Sequence, residues 1–106
     1  MNFNTIKAGD VVDIEVGDRE LLTSKFLGFT SIDEKYSTTP TFNTLKDVKQ
    51  HYNVKTNRNL EQIGEHGHDV YAVFEEDGQS WGAYLFKGRW CCGSGANPIR
   101  LWRSTK

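Results

Sequence analysis

The 106 residues fit a single domain, and a composition of 37% hydrophobic and 25% charged residues suits a packed core rather than a disordered chain. Thirteen Lys and Arg against 14 Asp and Glu leave a net charge of -1. That balance excludes a strongly basic or strongly acidic chain as the reading of the whole. No apolar stretch approaches the roughly 20 residues of a membrane-spanning helix. Met1–Ile6 also lacks the basic start and apolar run of a secretory signal. The expectation is a cytoplasmic protein with no membrane partner.

In chain order, Lys7-Ala8-Gly9-Asp10 reads as a turn. Val12, Ile14 and Val16 then alternate with Asp13 and Glu15, the period of a half-buried strand that ends at Gly17-Asp18. Leu21 to Phe29 predicts the next strand, with Gly28 marking a bulge or a close backbone approach. Thr30 to Thr44 is polar, rich in Ser and Thr and interrupted by Pro40, so it reads mostly as loop. Thr44 then offers a hydroxyl to cap a helix whose first turn contains Asp47. Leu45, Val48 and Tyr52 give that short helix an apolar stripe, and it ends near Asn53. Asn57 to Asp69 is again polar, with Leu60 and Ile63 leaving room for one more helical turn.

The last third is denser. Val70 to Phe74 predicts a strand buried on both faces, and Asp77-Gly78 turns the chain into a partner strand over Trp81 to Phe86. Lys87-Gly88 turns it again into Arg89-Trp90-Cys91-Cys92, and residues 93–98 break the chain before a final strand over Ile99 to Arg103. The fold class predicted is mainly β with one short helix (α+β). It takes the form of a small bent antiparallel sheet or a barrel, in a single domain with a helix-bearing insertion at about 31–69.

Lys7 to Ile14 followed by Phe26-Leu27-Gly28-Phe29 resembles the opening of SH3-like small barrels of the KOW and Tudor kind, in which a Gly-Asp turn leads into the first strand. The resemblance covers about the first thirty residues. It implies a small barrel that binds proteins or nucleic acids, and function must still be sought in a site.

The chemistry-bearing motifs are few. Adjacent Cys91 and Cys92 are poorly placed to bridge each other, so they read as reduced thiols, one buried and one outward. His66 and His68, flanked by Glu65 and Asp69, are ligand-like and with Cys91 or Cys92 would offer a zinc donor set, but no recognised metal spacing is present. Gly93-Ser94-Gly95 leads into Asn97-Pro98 and a strand rather than the helix that phosphate loops open. No catalytic residue and no cofactor is expected.

Charge, in contrast, falls in blocks. Lys35, Lys46, Lys49, Lys55 and Arg58 against Asp47 make residues 35–60 basic, and residues 81–106 carry Lys87, Arg89, Arg100, Arg103 and Lys106 without one acid. The same stretch holds Trp81, Trp90 and Trp102. If Ile99 and Leu101 face the core, alternation puts Arg100 and Trp102 on the other face. The expected binding residues are therefore Trp102, Arg100, Arg103, Arg89, Trp90 and Lys87, with Lys46 and Lys49 on the helix. The function expected is a non-enzymatic, regulatory or inhibitory module that occupies a protein surface. The alternative is a nucleic-acid-binding barrel that stacks bases on Trp and Arg.

Overall fold

The computed structural model of the chain describes residues 2–17, 22–32, 40–64 and 70–103. Six strands, β1 (Val11–Val16), β2 (Leu22–Phe29), β3 (Tyr71–Glu76), β4 (Gln79–Phe86), β5 (Arg89–Cys92) and β6 (Asn97–Arg103), pair antiparallel in sequence order. β6 returns to pair with β1, with Ile14 opposite Leu101, so the sheet closes into a barrel. Of the two expected forms, bent sheet or barrel, the structure has the barrel: closure pairs the backbone edges of the first and last strands with each other.

Alternation supplies the filling. Val12, Ile14 and Val16 of β1 meet Phe26, Phe74, Leu85, Trp90, Ile99 and Leu101 in one buried cluster. The rings of Phe26 and Phe74 lie 5.2 Å apart, and Trp90 stacks on Phe3 at 4.8 Å. Phe3 and Ile6 come from the N-terminal turn, which the sequence pattern does not mark as core.

The two tight turns have the backbone their residues predict. Asp77-Gly78 has φ of 50° and 81°, and Lys87-Gly88 has 53° and 77°, so both central residues are left-handed as a two-residue hairpin of this hand requires. Gly28 stands at a register shift between β2 and β3 with φ 128°. It is a bulge and a close approach at once, because the chain at Pro40 and Phe42 crosses directly over it.

Two helices, rather than the one expected, occupy the connection between β2 and β3. α1 (Leu45–Tyr52) buries Leu45 and Val48. Its Thr44 Oγ1 accepts a hydrogen bond from the Asp47 amide at 3.2 Å, and Asn53 ends it with left-handed φ and ψ of 56° and 47°. α2 (Asn57–Ile63) is capped by Thr56, which accepts from the Asn59 amide at 3.1 Å. Asn57 and Asn59 in its first turn have weak helix propensity, a cost of some tenths of a kcal/mol each. Full burial of Leu60 contributes about 1.5–3 kcal/mol, so packing decides.

The cap makes a direct test. Thr44→Ala should lower stability by about 0.5–2 kcal/mol in a urea melt, and Thr44→Ser should restore most of it. An unchanged midpoint in the alanine variant would mean that the hydroxyl does not hold the helix end.

Candidate functional site

The outer wall formed by β6, β1 and β2 carries the largest exposed ring. Ile99 and Leu101 face the core, and Arg100 and Trp102 face out, as the alternation predicts. Trp102 is 48% exposed and Val11, two positions from its cross-strand neighbour on β1, is 50% exposed. In the ladders Trp102 stands opposite Asp13 and Asp13 opposite Thr23, whose hydroxyl donates to Asp13 Oδ1 at 2.7 Å. One turn of the pleat away, Arg100 stands opposite Glu15, and Lys25 stands opposite Val11. A shallow cleft of about 240 Å³ between Glu15, Gly17, Pro98 and Arg100 adjoins this row. The wall thus presents Trp102 and Val11 among acids on β1 and bases on β2 and β6, with Leu22 also exposed at the start of β2.

The other predicted binding residues are distributed elsewhere. Trp90 is 5% exposed, stacked on Phe3 and packed 5.5 Å from the Phe29 ring. It is a core residue and is removed from the surface set, because alternation along β5 turns it inward once the barrel closes. Lys87 and Arg89 lie at the β4–β5 hairpin, where Lys87 Nζ sits 5.5 Å from the centre of the Phe86 ring and Arg89 stands opposite Phe86. β5 and β6 pair only through Cys91–Pro98 and Cys92–Asn97, so these bases do not join the Trp102 row through a ladder. Arg103 is the last residue of β6, opposite Val12 in the backbone register. Lys46 and Lys49 lie on α1.

The hairpin is held by α2. Glu61 accepts from the Gly88 amide at 2.7 Å and from the Lys87 amide at 3.1 Å, and Arg58 packs on Gly88. Two amides of the left-handed turn converge on one carboxylate, which explains how so short a helix is docked. Nothing in the sequence marks Glu61 for this role except its distance from a turn of that type.

On the β3–β4 wall, Tyr71 and Tyr84 are cross-strand partners beside Gly82, above a cleft of about 420 Å³ that reaches Phe86 and the 93–96 turn. A side chain at Gly82 would meet the Tyr71 ring at 3.0 Å, so the glycine lets that ring lie close to the sheet. The Tyr84 hydroxyl donates to the Gly93 carbonyl, and burial followed by the neighbouring thiols raises its pKa against an opposing backbone hydrogen bond at Ala96.

Cys91 and Cys92 are not bridged. Cys91 is buried opposite Tyr84, and that burial pushes its thiol above the usual range despite the nearby Arg89 guanidinium, which disfavours the reactive thiolate. Cys92 is partly buried against the core cluster. The ligand-like run Glu65 to Asp69, with His66 and His68, lies outside the described residues. Among the described residues no three His, Cys, Asp or Glu side chains gather in a metal-holding group, and no helix is long and apolar enough to cross a membrane.

Comparison with known proteins gives no matching family model, no matching curated protein and no matching solved structure.

Proposed function

We propose that this chain is a non-enzymatic binding module, regulatory or inhibitory, that occupies a protein surface through the outer β6–β1–β2 wall centred on Trp102. The observation that carries this reading is a Trp about half exposed on a strand paired in the barrel, beside an equally exposed Val11, inside a polar rim. Large apolar side chains exposed together within polar surroundings mark interaction sites, and Trp and Arg dominate interface energies. The rim has both signs, with Arg100 facing Glu15 and Asp13 beside Trp102. Mixed charge suits a protein partner, whereas a polyphosphate chain favours a row of bases without acids. A small barrel with an opening that resembles SH3-like modules is in keeping with such a role, as analogy only.

The test is the double variant Arg100→Ala with Trp102→Ala. Both side chains lie outside the core, so the variant should fold with stability reduced by no more than about 1 kcal/mol. Capture of the partner should fall by well over tenfold. A variant that folds and still captures the partner would move the site to Lys46 and Lys49 on α1. The salt dependence of binding separates the partner classes. A weak dependence supports protein, and a steep one supports nucleic acid.

A further inference from the structure

Away from the Trp102 wall, a cleft of about 300 Å³ opens beside α1, between the N-terminal turn and the chain that leaves the helix. Lys46 and Lys49 on the helix and Lys55 beyond it line this cleft, with Asn4 and Gln50 offering amide groups and Val54 a patch of apolar surface. Among the described residues no carboxylate lines it. Asp47, the one acid of α1, neighbours Gln50 around the helix but does not line the cleft. None of the three ammonium groups is paired with a carboxylate of the described residues.

This arrangement is unusual for the chain. Its net charge is only -1, and on the Trp102 wall Arg100 and the row beside it are matched by Glu15 and Asp13. Three like charges on residues that line one concavity repel one another, and the field they focus attracts an anion. Burial lowers the pKa of Lys49, so its charge is partly desolvated, and a negative partner would offset that cost. The donors are ammonium and amide N–H groups, the chemistry that phosphoryl oxygens accept from. The cleft lies at the lower end of the size range of small-molecule pockets, and it is a single concavity rather than a basic track.

We propose that this cleft binds the phosphoryl group of a small phosphorylated molecule, held by Lys46, Lys49 and Lys55 with Asn4 and Gln50 as further donors. The site is separate from the Trp102 wall and does not depend on the function proposed for it.

The probe is inorganic pyrophosphate, titrated into the ¹⁵N-labelled full chain at constant ionic strength and followed by amide chemical shifts. Saturable shifts are expected at Asn4, Lys46, Lys49, Gln50, Val54 and Lys55. Lys49→Gln should weaken binding at least about tenfold, and Arg58→Gln, on α2, should leave it unchanged. Lys46→Gln and Lys55→Gln, at exposed positions, repeat the test should the Lys49 variant not fold. Orthophosphate that binds as tightly as pyrophosphate identifies the occupant as a single phosphoryl group, and tighter pyrophosphate identifies a diphosphate-bearing one. The proposal is overturned if chloride or sulfate at matched ionic strength produces the same shifts, or if the shifts spread evenly over all lysines. It is also overturned if a single-stranded oligonucleotide binds these residues more tightly than pyrophosphate does, with a steep salt slope.

Discussion

Trp90→Ala is expected to lower the unfolding free energy by about 3–5 kcal/mol, whereas Trp102→Ala should change it by no more than about 0.5 kcal/mol. The two indoles belong to the same basic and aromatic stretch, yet their surroundings differ. Trp90 fills the barrel between Phe3 and Phe29, and its removal leaves a void lined by rings that cannot close over it. Trp102 has half of its surface in water and a polar neighbour in Asp13. Trp90 Nε1 has no hydrogen-bond partner among the described residues, so Trp90→Phe removes a buried, unpartnered donor along with some volume. It should therefore cost clearly less than Trp90→Ala. Urea melts of the three variants check the order. Equal losses for the two alanine variants would show that Trp102 is as deeply packed as Trp90, and would remove it from the candidate surface.

Trp90 also shows where sequence reasoning stops. Alternation separates Arg89 and Cys91 from Trp90 and Cys92, but it does not say which side of a strand faces the interior. That is decided when β6 reaches β1, a pairing of residues such as Val12 and Arg103 that are distant in the chain and carry no local signal. The hairpins are local. Asp77-Gly78 and Lys87-Gly88 state their turn type in two residues, and the strands on either side follow. The α1 boundaries are legible for the same reason, because Thr44 and Asn53 act on backbone groups a few residues away.

What escaped the sequence is tertiary. Leu60 forms α2 by being buried, Glu61 docks it by reaching turn amides at Lys87 and Gly88, and Phe3 belongs to the core because it stacks on Trp90. The candidate surface was legible in part by the same logic. Arg100 and Trp102 follow from the alternation of β6, and Val11 could have been added, since it shares the outward phase of Asp13 and Glu15. The lysine cleft needs Asn4 and Lys55, which only the packing of the N-terminal turn near α1 brings to Lys46 and Lys49.

Gly28→Ala should be the most damaging single-methyl change in the chain. Two costs coincide at this position. With φ 128°, an L side chain is strained whatever space surrounds it, at about 1–3 kcal/mol. The added Cβ would also stand 2.6 Å from the Phe42 carbonyl oxygen and 3.0 Å from Pro40 Cβ. Overpacking of this kind costs about 1–3 kcal/mol more. The Phe42 carbonyl cannot retreat freely, because it accepts from the Phe29 amide at 2.8 Å while the Phe42 amide donates to Phe29 at 2.9 Å. That pair of bonds seats the segment leading to α1, with Ala8 donating to Asn43 just beyond it. The variant should therefore lose about 2–6 kcal/mol and loosen α1 before the rest of the barrel. Hydrogen exchange resolves the order, with the amides of Val48 and Phe42 losing protection ahead of those in β4. Gly78→Ala is the control. It also has positive φ, 81°, but nothing lies within 4 Å of an added Cβ, so it isolates the backbone strain. Equal losses at the two glycines would mean that the close approach of Pro40 and Phe42 contributes nothing, and that α1 is held in place by its buried Leu45 and Val48 alone.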